Sequence, residues 1–145
     1  MIAINVQQPH AFYMFHAGKD VENRSWMPHP SKLRPGDKLA IVASKKWHEF
    51  YESGGYVAWG RIRAELNEAG IDTKQVKIRP IDFVLGGLIG VVTFKGVTKN
   101  SDSRWAEAGQ YHWLLGEPVA LPFMAVKGRL GLYELENFNY DHFIS

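Results

Sequence analysis

Apolar residues along this chain follow two spacings, and the alternation between them divides the sequence into strand-like and helix-like stretches. Ile2 to Val6 is short and rich in β-branched residues, which predicts a buried strand, and Gln7-Gln8-Pro9 punctuates it. From Pro9 onward Ala11, Phe12, Met14, Phe15 and Ala17 recur at helical spacing, with proline tolerated in the first turn and Gly18 as a natural stop. Val21 to Trp26 reads as extended. The two prolines of Met27-Pro28-His29-Pro30-Ser31 rule out a helix there, and Arg34-Pro35-Gly36-Asp37 has the residues of a tight turn leading into a strand from Lys38 to Ser44.

Between Lys46 and Ala69 the residues Trp47, Phe50, Tyr51, Ala58, Ile62, Leu66 and Ala69 repeat at helical spacing, which predicts two helices separated by Ser53-Gly54-Gly55. Residues 71–79 are polar and carry no clear period, and Pro80 opens a short turn or helix through Leu85. Gly86-Gly87 then introduces Leu88 to Val97, whose valines, isoleucine, threonine and phenylalanine predict a central strand. After a loop over 99–104, Tyr111 to Leu115 and Val119 to Val126 predict two strands interrupted by Gly116-Glu117-Pro118, and Leu130 to Leu135 a closing strand. About five to seven strands with helices inserted early suit a small mixed barrel in one domain spanning residues 1–145.

Composition narrows the function classes. With 145 residues, 46% of them apolar, the chain is long enough to bury a core and too apolar for disorder. It has no cysteine, so disulfides, thiolate metal sites and cysteine nucleophiles are excluded. Its histidines are scattered, and His48-Glu49 lacks the second histidine of a zinc-protease helix, so neither a metal nor another cofactor is expected. No apolar signal core and no run of about 18 apolar residues occurs, which gives the expectation of a cytoplasmic protein without a membrane partner. Net charge is only +2, but its distribution is uneven: Lys19, Arg24, Lys32, Arg34, Lys38, Lys45 and Lys46 face only Asp20, Glu22 and Asp37 in the amino-terminal third. Such a stretch suits a phosphate-bearing partner or an ordinary solvated surface.

The densest chemistry lies in Ala17-Gly18-Lys19-Asp20-Val21-Glu22-Asn23-Arg24-Ser25-Trp26, where a lysine, a carboxylate, an amide and a guanidinium leave a helix for an extended segment. Lys19 and Arg24 can clamp a phosphate. Glu22 and Asn23 can read the edge of an unpaired base while Trp26 or Trp113 stacks on its face. A lysine of depressed pKa can instead act as a base, with Glu22 or His112 moving protons. Equally, Glu22 and Arg24 can be an internal ion pair bracing the fold, and both tryptophans can be core walls. Ser44 and Lys45, at a strand end, can complete a cleft.

Gln8-Pro9 ahead of the helix, followed by Gly-x-Lys-x-x-Glu-x-Arg, resembles the ASCH domain family, a branch of the PUA-like β-barrels associated with RNA. Lys19, Glu22 and Arg24 match the signature, while its first glycine falls on Ala17 and the glycine comes one place later, at Gly18. Leu85 to Val92, Gln110 to Trp113 and Lys127 to Tyr133 are similar to the family's later strands, in the same order. The resemblance implies an α+β fold, a single mixed PUA-like β-barrel with helices packed around it. It also implies an RNA or nucleoside partner held by Gln8, Lys19, Glu22, Asn23, Arg24, Trp26, Ser44, Lys45 and Trp113. Some bacterial family members remove the acyl group of N4-acetylcytidine with a lysine at the position of Lys19 and a threonine nucleophile three residues later; others are reported as ribonucleases. Here Glu22 occupies the threonine position, and a carboxylate nucleophile would give an anhydride rather than an ester. The leading expectation is therefore a nucleic-acid-binding module, with a hydrolase using Lys19 and Glu22 as the alternative.

Overall fold

A computed structural model describes residues 1–143. Six strands form one mixed sheet in the order β2-β7-β6-β3-β1-β8, comprising β1 (Ile2–Gln8), β2 (Val21–Arg24), β3 (Lys38–Trp47), β6 (Gly87–Thr98), β7 (Tyr111–Ala125) and β8 (Leu132–Glu134). β1 runs parallel to β3, and every other pairing in this sheet is antiparallel. Helix α1 (His10–His16) follows β1, and helix α2 (Trp59–Glu68) follows a small hairpin of β4 (Glu52–Ser53) and β5 (Tyr56–Val57). No helix among the described residues is long and apolar enough to cross a membrane.

The sheet has an apolar layer on each face. Ile4, Val6, Leu39, Ile41, Val92, Phe94, Trp113 and Leu115 pack with Ala11 and Met14 of α1, while Ala3, Ala40, Val42, Leu88, Val91 and Tyr133 form the opposite layer. Strands buried on both sides read as continuous apolar runs, which is why β3 and β6 lack polar alternation. Gly90 allows α1 to sit close: a Cβ there would lie 2.3 Å from the Phe15 ring and 2.6 Å from the Val119 carbonyl. A third cluster, with Phe12, Tyr13, Tyr51, Ile62, Leu66 and Phe83, joins α1 to α2 and to the segments around them.

Two segments differ from the expectation. The aromatic stripe over 47–51 is not a helix: β3 continues through Trp47, a single 3-10 turn covers Glu49–Tyr51, and Gly54 and Gly55, both with left-handed backbone, turn the β4–β5 hairpin. Two of its rings are core all the same, because Trp47 and Tyr51 pack in the third cluster, whereas Phe50 is exposed, with the Arg61 guanidinium over its ring. Likewise Gly116-Glu117-Pro118 does not end a strand. β7 runs unbroken through it, absorbing the irregularity in register shifts against β6 and in the left-handed conformation of Glu117. β2 pairs only with Val21↔Leu114 to Arg24↔Tyr111, so Pro118 and Pro122 lie beyond it, where no ladder partner needs their missing N–H.

The expected barrel is present only as this open sheet, since among the described residues no backbone pairing joins β2 to β1 or β8. The sheet nevertheless curls far enough for Arg24 on β2 to donate a hydrogen bond to the Asn5 carbonyl on β1, with β7, β6 and β3 intervening in the strand order. A seam between β2 and β1 results.

Candidate functional site

The seam is where the polar residues of the amino-terminal segment gather. Gln8 fixes its upper end from inside the fold: buried, it accepts from the Phe12 N–H in the first turn of α1 and donates to the Val84 carbonyl. It satisfies one of the orphan donors that every helix start leaves. Gly18 then closes the helix in the left-handed conformation at φ +71°, and the Lys19 N–H returns to the Tyr13 carbonyl at 3.0 Å. The glycine placed one residue late in the motif is thus the residue that stops the helix and sets Lys19 at its end. In β2 the pleat separates neighbours, so Glu22 and Arg24, paired in register with Trp113 and Tyr111, share a face while Asn23 takes the other.

Lys19, Glu22, Asn23 and Arg24 all line one concave cavity of about 440 Å³, together with Asn5, His10, Ser44, His48, Glu107 and Arg129. Lys19 is only 5% exposed, and Glu22 only 7%. The Lys19 ammonium donates to His10 Nδ1 at 2.8 Å and has no carboxylate within ion-pair distance among the described residues. Burial pushes its pKa below the ordinary lysine range, against the opposing pull of Glu22, Glu65 and Glu107. Burial and the neighbouring Lys19, His48 and Arg24 push His10 down to about 2, so its imidazole is neutral and free to accept at Nδ1. Edge-on contacts with Tyr13, His48 and Tyr51, at centroid distances of 6.1, 5.2 and 5.4 Å, hold the ring in place. Beneath it, Glu65 of α2 accepts from both Tyr13 (3.0 Å) and Tyr51 (2.8 Å).

Glu22 is committed more than Lys19. Its Oε2 accepts from Arg24 at 3.0 Å and its Oε1 from the Asn23 N–H at 3.1 Å. Asn23 spends its amide on the loop over 103–107, donating to the Trp105 carbonyl and accepting from the Glu107 N–H, both at 2.9 Å. Those two bonds tie the amide to the loop, while the residue lines the cavity and holds Glu107 beside it.

Other expected residues stand elsewhere. Trp113 is completely buried, donates its indole N–H to the Trp26 carbonyl at 3.0 Å and meets the Trp26 ring edge-on at 4.9 Å. Neither tryptophan is on the cavity wall, because β7 turns Trp113 toward the core layer under α1. The rings facing the cavity are instead the imidazoles of His10 and His48. Gln8 lies behind the wall, with Gln7 lining it in its place. Ser44 lines the cavity, whereas Lys45, one residue on, is exposed with its stem against Gly86. His112 cannot serve as an acid or base in the site: its Nδ1 accepts from the Ser101 N–H and its Nε2 donates to the Glu107 carbonyl. His10, His48, Glu107 and Arg129 were not among the sequence candidates. For His10 a signal existed, a histidine at the first helical position, ahead of the helix that ends at Lys19; for the other three, nothing local distinguished them.

A scan against protein-family models and a search of curated protein sequences each return no match. Among solved structures, one described as ASCH from Zymomonas mobilis is similar over 94% of this chain and 87% of that one, with a TM-score of 0.51 and 12% identity. At such identity the likeness is one of architecture: the chain has the ASCH fold.

Proposed function

We propose that this chain is a single-domain nucleic-acid-binding module whose seam pocket receives one unpaired base of RNA, or the same base as a nucleoside. The observation that carries the reading is the convergence of Lys19, Glu22 and Arg24 with His10 on one concave cavity. The wall is of mixed sign, with Lys19, Arg24 and Arg129 against Glu22 and Glu107. A bare phosphate would meet both carboxylates, whereas a nucleobase offers donors and acceptors on one edge. Lys19 is the group best placed to meet it, since one hydrogen bond to His10 leaves its other N–H groups unspent. Arg129 at the rim can take the backbone phosphate. The seam itself is read as a barrel closed by side chains rather than by a ladder.

Fluorescence anisotropy with single-stranded RNA tests this. The wild type should bind with an affinity that falls as salt rises, and Lys19→Met should lose roughly tenfold or more. Unchanged binding by the variant would overturn the assignment.

One observation favours the hydrolase as a second reading. A lysine whose ammonium is disfavoured, beside a permanently neutral imidazole, supplies the free amine that a general base requires. Glu22, held by Arg24, is less suited to attack. Incubation with N4-acetylcytidine and with labelled RNA, without added metal, decides: turnover that disappears in Lys19→Met supports catalysis, and no product from either substrate leaves binding as the better account.

A further inference from the structure

Leu130 is 99% exposed, the highest value for a large apolar side chain among the described residues, and it lies on the mouth of the seam pocket. Folding gains nothing from this leucine, whereas burying such a side chain is ordinarily worth about 1.5–3 kcal/mol. Isolated apolar residues on a surface need no explanation; this one differs in its mount and its neighbours. The loop over 127–131 is anchored at both ends, by the Val126 N–H on the Gly86 carbonyl at 3.2 Å and by Leu132 in register with Ile4 of β1. Between them Gly128 sits so close to β1 that a Cβ would fall 2.1 Å from the Asn5 amide. Asn5 is itself fixed by a 2.5 Å hydrogen bond from Tyr133. Leu130 therefore projects into solvent from a loop tied at both ends, with the cations Lys127 and Arg129 just before it in sequence.

These are the requirements of a side chain that enters a base stack: apolar, unpacked in the free protein, presented from an anchored loop, accompanied by cations that can meet phosphate and beside the place where the displaced base would go. We propose that Leu130 is a wedge that fills the gap left in a helical stem when the adjacent base is drawn into the seam pocket. The inference rests on reading that pocket as a base site, and it specifies the substrate class: a base embedded in a paired stem of RNA, not only a free nucleoside or a single strand.

The test uses RNA stem–loops that each carry one mismatched base in the stem with 2-aminopurine next to it, and single strands of the same sequences. Wild-type protein should raise 2-aminopurine fluorescence on at least one stem as its stacking is lost. Leu130→Ala, at a fully exposed site that folding does not use, should weaken binding to that stem by roughly tenfold while its affinity for the single strand stays within about twofold. Leu130→Phe should retain stem binding. Equal losses on stem and single strand, or no loss on either, would overturn the wedge and leave the pocket reading standing. If the wild type binds neither RNA, the pocket reading fails and the wedge with it. Binding of vesicles rich in phosphatidylglycerol that depends on Leu130, with RNA binding unaffected by Leu130→Ala, would assign the residue to a membrane surface and likewise overturn the proposal.

Discussion

Replacing Lys19 by methionine should make the protein more stable and, on the proposed reading of the pocket, remove RNA binding. Methionine keeps the length and much of the volume of the lysine stem, so the packing behind the seam is preserved. What changes is the burial of a cation at a site 5% exposed, where among the described residues the ammonium's one hydrogen bond is to His10 Nδ1 at 2.8 Å and the Trp105 ring lies 5.8 Å away. Desolvating an ion without a counter-charge costs several kcal/mol. One hydrogen bond to a charged group returns only about 1.5–3. The imidazole nitrogen left behind lines the cavity, where water can satisfy it. The difference favours the variant by about 1–3 kcal/mol at neutral pH, which at this chain length is a rise in Tm of roughly 2–4 °C for each kcal/mol.

The pH dependence has a definite sign. Because the folded-state pKa of Lys19 lies below its ordinary 10.5, the unfolded chain binds more protons between the two values, and wild-type stability climbs with pH across that window relative to the variant. The penalty is complete below the folded-state pKa and gone above the unfolded one. Urea unfolding of both proteins at about pH 7 and about pH 10 measures it. A Lys19→Met protein less stable than wild type at neutral pH, or a difference that does not shrink on the alkaline side, would refute the description of Lys19 as a buried cation without a direct ion pair.

Other substitutions probe the frame around it. Arg24→Ala leaves the Glu22 carboxylate buried without its 3.0 Å partner and unties β2 from the Asn5 carbonyl; it should destabilise by about 1–3 kcal/mol in denaturant melts, less if Glu22→Gln is added. Asn23→Ala removes both hydrogen bonds to the 103–107 loop and should raise amide exchange there, Glu107 N–H foremost, with much smaller changes in β3 and β6. Gly18→Ala meets no steric contact but must adopt φ +71°, so it should cost about 1–2 kcal/mol by thermal unfolding, with Gly18→Asn costing less.

Much of the fold could be read from the sequence because its signals are local. β1, α1, β2 and β6 were marked by periodicity bounded by proline or glycine. The failures share one cause. Trp47, Phe50 and Tyr51 have helical spacing, yet Trp47 and Tyr51 reach a common apolar cluster from a strand end and a 3-10 turn, and Phe50 stays exposed. Gly116-Glu117-Pro118 looks like punctuation until β6 is seen to hold β7 on both sides of it. The site divides in the same way. Lys19, Glu22 and Arg24 fall within six residues and were visible; His10, His48, Glu107 and Arg129 join them only because the sheet curls until its β2 edge faces β1. Trp113 illustrates a further limit, since alternation along Tyr111-His112-Trp113 tells that neighbours face opposite ways but not which face is the core.

The seam also resolves two roles that looked exclusive, bracing and ligand binding. A sheet that curls without closing leaves β2 with no ladder partner on its outer side, and the gap must be spanned by something polar, since an unpaired buried group costs about as much as a lost hydrogen bond. Arg24 spans it to Asn5, Glu22 neutralises Arg24, and Asn23 fastens the loop that carries Glu107. These three residues build the pocket by bracing it, so substituting them changes structure and binding together. Lys19 is the exception. Among the described residues its ammonium makes no ion pair and bonds no backbone group, its one hydrogen-bond partner is a ring already held by three others, and folding would favour an apolar side chain in its place. A buried cation that costs the fold stability, on the wall of a concave polar site, is the one whose loss would report on the proposed binding alone, so variants at Lys19 would separate ligand recognition from architecture where variants at Arg24 would not.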